Sequence, residues 1–178
     1  MKRTETKKLA LSSIFCALAV VISVIGCVFD MADLVATAAA SVIVASAKIE
    51  LGGKYPFLIY AVTGTLLFLF FPTATVTLYF ILFFGYYPMV RHLFKKLPGM
   101  LCVILKFTVF NIAIVIMYIL MEKLLLAEEA DAEVWLLPAL WFVSNLFFAV
   151  FDYSLDIFMT AYVRILRRRW GIDKFMLH

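Results

Sequence analysis

The chain has 178 residues, 66% of them hydrophobic and only 16% charged, with a mean hydropathy of +1.05. A soluble domain is about half apolar and about a quarter charged, so this composition excludes one and predicts an integral membrane protein. The net charge of +4 does not point to nucleic acid, because the basic residues cluster at the ends of apolar runs, where they read as topology signals.

In chain order, Lys2, Arg3, Lys7 and Lys8 precede a first apolar run over 9–29. That run is long enough to span a bilayer and lacks a small-residue cleavage site, so it is read as a retained helix rather than a signal peptide. The second run, 34–49, is short for a hydrocarbon core of about 30 Å, which a smaller tilt, thinned lipid or snorkelling of Lys48 to the interface would each accommodate. Runs over 55–71 and 73–90 follow, with Pro72 making a tight turn between them. Arg91, Lys95 and Lys96 then lead through "KKLPG" into a fifth run over 100–121, and a sixth covers 135–163. Pro56, Pro98 and Pro138 lie near helix starts, where a missing N–H costs little. The expectation is an all-α integral membrane protein: one transmembrane domain over 1–178, folded as a six-transmembrane-helix bundle.

Six spans place 14 of the 16 lysines and arginines on one side. The opposite loops hold Asp30, Asp33, Glu122, Glu128, Glu129, Asp131 and Glu133. The positive-inside rule then puts both the N and C termini in the cytoplasm, in a multi-pass protein of a cell membrane, expected to be the bacterial cytoplasmic membrane. Cys16, Cys27 and Cys102 fall in separate runs without a zinc or C-x-x-C spacing, so no disulfide framework, metal site or cofactor is expected.

The sixth run carries "FDYSLDIFMTAYVRILRRRW", two aspartates inside a membrane helix. Asn145, Ala149, Asp152, Asp156 and Thr160 share one side of that helix and must face protein or a water-filled cavity. Counting inward from the cytoplasmic ends of two antiparallel neighbours predicts the pairs Lys106–Asp156 and Asn111–Asp152. Either these pairs lock the fifth helix to the sixth, or they form a relay or part of a ligand cavity; the sequence leaves both open. Prenyl and phosphatidyl-alcohol transferases also place D-x-x-x-D in membrane helices, but they need further aspartates on a second segment, and the other membrane helices here hold none. Without an intramembrane histidine, neither a metal protease nor a Ser–His site is available. No catalytic residue is nominated, and the chain is not expected to be an enzyme.

Ala10, Ser13 and Ala17 lie along one face of the first helix, and Ala36, Ala40, Ser41 and Ala45 recur in the second. Small residues at such spacing let another helix approach closely, from this chain or from a partner. The 18 Phe and eight Tyr offer lining for an apolar pocket, although most are expected to face lipid or the interfaces.

"KKLALSSIFCALAVVIS", "DLVATAAASVIVASAKIELGGKYPFLIYAVTGTLLFLFFP" and "YFILFFGYYPMVRHLFKKLP" together give a basic tail, a small-residue helix, a polar inner turn and a Gly-containing helix. This pattern resembles the substrate-binding S-components of energy-coupling-factor vitamin transporters and their uncharacterised membrane relatives, over roughly the first 100 residues. The resemblance implies a high-affinity micronutrient binder without its own ATPase, docking on a transmembrane coupling subunit and two ATPases. It also implies an Ala-x-x-x-Ala docking face on the first helix, whose nearest match is Ser13-x-x-x-Ala17, flanked by Ala10. A substrate site in the outer half is implied as well, for which Asp30, Asp33, Tyr79, Trp141 and Asn145 are nominated; Asp152 and Asp156 are expected to lie too deep for it. The competing expectations are a non-transport scaffold of a cell-wall or shape-determining complex, and a proton-linked carrier.

Overall fold

The structure, a computed structural model, describes residues 2–29, 33–94, 98–124 and 136–166. Among these residues every regular element is helical. Helix α1 covers Lys2–Val28, α2 Asp33–Leu51 and α3 Tyr55–Phe70; α6 covers Gly99–Leu124 and α7 Leu136–Ala161, which closes in a π turn over Tyr162–Leu166. Gly52 and Gly53 both adopt positive φ, 60° and 54°, a pair of left-handed residues that ends α2 and turns the chain into α3. Pro56 sits in the first turn of α3, and the helix stops at Phe70, just before Pro72.

The fourth apolar run, 73–90, is not one continuous helix. It divides into a short α4 (Thr75–Tyr79), a π segment (Phe80–Phe84), a turn at Gly85–Tyr86 and α5 (Tyr87–Phe94). Pro88 supplies the reason. It has no N–H for the carbonyl of Phe84, and its ring would collide with that carbonyl in a continuous helix. The chain widens instead: Gly85 N–H donates to Phe80 O at 2.8 Å, and α5 restarts with the amides of Met89 and Val90 on Tyr86 O. The Tyr60 hydroxyl of α3 donates to Ile81 O at 2.8 Å, giving a partner to a carbonyl beside the break.

Among the described residues, four helices are long and apolar enough to cross a membrane: Glu5–Val28, Asp33–Leu51, Gly99–Leu120 and Pro138–Arg164. At 16 residues α3 is shorter, about 24 Å at a rise of about 1.5 Å per residue. Large apolar side chains point outwards along α1, α6 and α7, among them Leu18, Val21, Val103, Val115, Leu146 and Val150. Helix α2 is the centre. Its span is 56% buried against 22% for each of the other three, and its small residues Ala36, Ala40, Ser41 and Ala45 are buried within the chain. One side of α2 packs with α1 and α3, through Ala40, Val44, Ile59 and Leu67; on the other, Ala45 joins an aromatic core of Phe83, Phe84, Phe110, Phe148 and Phe151.

Candidate functional site

The break in the fourth run aims α5 into the bundle, and with it Tyr87 and Arg91. The two sit one helical turn apart, as do Asp152 and Asp156 on α7, so the pairs can meet face to face. Arg91 is only 2% exposed. Its Nε donates to Asp152 Oδ1 at 2.6 Å, its NH2 group donates to the Asp152 main-chain oxygen at 2.8 Å, and the same NH2 lies 2.5 Å from Asp156 Oδ2. Lys106 of α6 donates to Asp152 Oδ2 at 2.8 Å, and the Tyr87 hydroxyl donates to Oδ1 at 2.5 Å. Two cations therefore face two anions, and three helices converge on one carboxylate. A buried carboxylate would cost several kcal/mol alone; the fork of Arg91 and the ammonium of Lys106 offset that cost by neutralising it and filling its lone pairs.

The structure thus brings Lys106, Asp152 and Asp156 together, with different partners from those the sequence suggested. The hydrogen bond of Lys106 goes to Asp152, and Asp156 is held by Arg91. Sequence reasoning missed Arg91, which it assigned to a topology signal beside Lys95 and Lys96, and missed Tyr87. One signal was present: a single cation in the fifth helix leaves one of two intramembrane aspartates unbalanced, and Arg91 is the nearest base to the end of the fourth run. Lys48 Nζ donates to Pro88 O at 3.2 Å and to Met89 O at 2.7 Å, tying α2 to α5.

Asn111 lies on a second polar level, with Asn145 and Trp141 rather than with Asp152. Asn111 Nδ2 donates to Asn145 Oδ1 at 3.0 Å, while Asn145 Nδ2 and Trp141 Nε1 donate back to Asn111 Oδ1 at 3.2 and 2.6 Å. The two half-buried amides satisfy one another across α6 and α7.

Beyond the aromatic core, towards the end of the bundle where α6 stops and α7 begins, lies a cavity of about 300 Å³. Its walls come from the start of α2, from α4 and the π segment, and from α6 and α7; Tyr79, Phe83, Phe84, Phe110 and Phe147 contribute rings. Among the described residues, the polar side chains in its lining are Tyr79, Tyr118 and Ser144, and none of the lining side chains is charged. Between this cavity and the charge cluster stand Phe83, Phe110 and Phe148, with Phe110 and Phe148 stacked at 4.4 Å and Phe83 edge-on to both. Charge and cavity are separate compartments of one bundle.

Of the residues nominated for an outer site, Tyr79 alone lines this cavity. Trp141 and Asn145 belong to the amide level, and Asp30 lies outside the described residues. Asp33 opens α2 in a neighbouring cleft of about 380 Å³ formed with Cys27 and the turn Phe70–Val76. Ala10, Ser13 and Ala17 are exposed on α1, and Ser13 and Ala17 border an apolar groove of about 500 Å³ between α1 and α3. No group of three or more metal-ligating side chains occurs among the described residues.

No family model, no curated protein and no solved structure matches the chain. Among the described residues, fold and site define an all-helical arrangement with four helices long and apolar enough to span a membrane, a charge cluster centred on the buried Arg91 and a separate aromatic cavity.

Proposed function

We propose that the chain is the substrate-binding subunit of a micronutrient uptake transporter whose energy comes from separate ATPase and coupling subunits. The observation that carries this reading is the aromatic cavity of about 300 Å³, set among helices whose outward faces suit lipid. Such a cavity, apolar with a few hydroxyls, has the character of a small-molecule site. All six apolar segments cross the membrane, α4, the π segment and α5 together forming the fourth crossing. Both termini lie in the cytoplasm, where Lys7, Lys8, Lys54 and Arg164 sit, and the cavity opens towards the outer face. The cluster of Arg91, Lys106, Asp152 and Asp156 acts as a scaffold lock joining α5, α6 and α7. A coupling subunit docks on α1 through Ala10, Ser13 and Ala17, beside the α1–α3 groove.

The test is purification of the tagged protein from native membranes in mild detergent, with mass spectrometry of its companions. A membrane coupling subunit with a pair of ATPases is the expected result. Cell-wall or division proteins without an ATPase would overturn it in favour of a non-transport scaffold.

A further inference from the structure

We infer that the compound bound in the aromatic cavity is a small, flat ring molecule without a negative charge, rather than a carboxylate or phosphate. This inference rests on the substrate-binding reading and narrows it. The first argument is electrostatic. Among the described residues no lining side chain is charged, the Asp33 carboxylate lies close enough to act on the Tyr79 hydroxyl, and Arg91, Lys106, Asp152 and Asp156 are engaged with one another on the far side of the Phe83–Phe110–Phe148 layer. An anion in the cavity would lose its hydration, gain no opposite charge and meet the field of Asp33, an expensive exchange in an apolar site.

The second argument is shape. Rings of Phe83, Phe84, Phe110 and Phe147 form the walls, and aromatic rings pack best against another ring in offset or edge-on contact. The volume lies at the low end of ligand sites, which run from about 300 to 1,000 Å³, so one single or fused ring system fits and a long tail does not. Polarity supplies the third. Tyr79, Tyr118 and Ser144, from three different helices, each offer one hydroxyl that both donates and accepts. They suit ring nitrogens, carbonyls or hydroxyls, whose loss would leave a neutral group unpaired rather than a charge.

Three matched probes separate the classes: fluoroindole, fluoroindole-acetate and fluorotryptamine are neutral, anionic and cationic forms of one ring system. Binding is read by fluorine NMR on the protein in lipid nanodiscs, against Ser144→Phe, which fills the cavity from α7. Leu140→Trp is the second filling variant, since Leu140 is 56% exposed at the cavity wall and tolerates bulk without repacking the core. Saturable binding of fluoroindole, at least about tenfold tighter than of fluoroindole-acetate and abolished by a filling variant, is expected. If fluoroindole-acetate binds as tightly as fluoroindole, the inference is overturned while the binding-subunit reading stands. If no probe saturates the wild type beyond what the filled variants show, the cavity is not a site and both fall.

Discussion

The ring of Phe83, in the wall of the cavity, stacks on Tyr87 at 4.7 Å, and the Tyr87 hydroxyl donates to Asp152 at 2.5 Å. A single pair of rings therefore touches both compartments, the cavity on one side and the charge cluster on the other. Tyr87→Phe keeps the stack and removes the bond. It should lower stability by about 1.5–3 kcal/mol, the usual range for hydrogen bonds to charged groups, while fluoroindole binding is unchanged. Phe83→Ala should lower both. Unfolding midpoints in nanodiscs, with the probe titration alongside, separate the two variants.

Arg91 and Asp152 are the most heavily used members of the cluster. Arg91→Ala should cost about 3–5 kcal/mol, because it leaves a buried carboxylate without its main partner. Arg91→Lys should fall between, restoring charge but not the two-pronged geometry. Asp152 accepts from three side chains, whereas Asp156 has a side chain 41% exposed, so Asp152→Asn should lower the unfolding midpoint more than Asp156→Asn does. A larger effect of Asp156→Asn would place Asp156 at the centre of the lock instead.

Gly85 lies against the Tyr60 ring and the Phe80 carbonyl, both of which an added Cβ would strike. Gly85→Ala should therefore cost about 1–3 kcal/mol by overpacking, and should disturb the Tyr60–Ile81 bond. Gly99→Ala meets open space and should change stability by no more than about 0.5 kcal/mol. Denaturation of the two variants in one detergent provides the comparison.

The amide level clamps α6 to α7 through Asn111 and Asn145. A double-mutant cycle with Asn111→Leu and Asn145→Leu should return a coupling of about 0.6–1.7 kcal/mol, the range of interhelical hydrogen bonds in membrane bundles. A coupling near zero would mean that the two amides act independently.

The parts of this arrangement that were legible in the sequence are those where one residue type stands out against its surroundings. Asp152, Asp156, Lys106, Asn111 and Asn145 are conspicuous in apolar helices, and each helps join helices in one of the two polar levels. Their pairing was not legible, because counting depth from helix ends ignores where the helices cross. Two short amides must meet directly and so fix the level, whereas the long stem of Lys106 reaches Asp152 rather than the aspartate counted at its own depth. Arg91 was hidden for another reason. Next to Lys95 and Lys96 it resembles an interfacial residue, and only the break at Gly85 and Pro88 turns it inward. The cavity was hidden altogether, since Phe and Tyr facing lipid and Phe and Tyr facing a void have the same hydropathy. Tyr79 was nominated among outer-half residues, but nothing in the sequence singled out Phe83, Phe110 or Ser144 as its neighbours.

The most direct measurement is native mass spectrometry of the protein released from its own membranes, wild type beside Ser144→Phe. Wild type should carry a small molecule that leaves on activation, and Ser144→Phe should arrive empty while unfolding at the temperature of wild type stripped of its ligand. Wild type arriving empty, or both proteins carrying the same mass, would contradict a substrate site in the aromatic cavity.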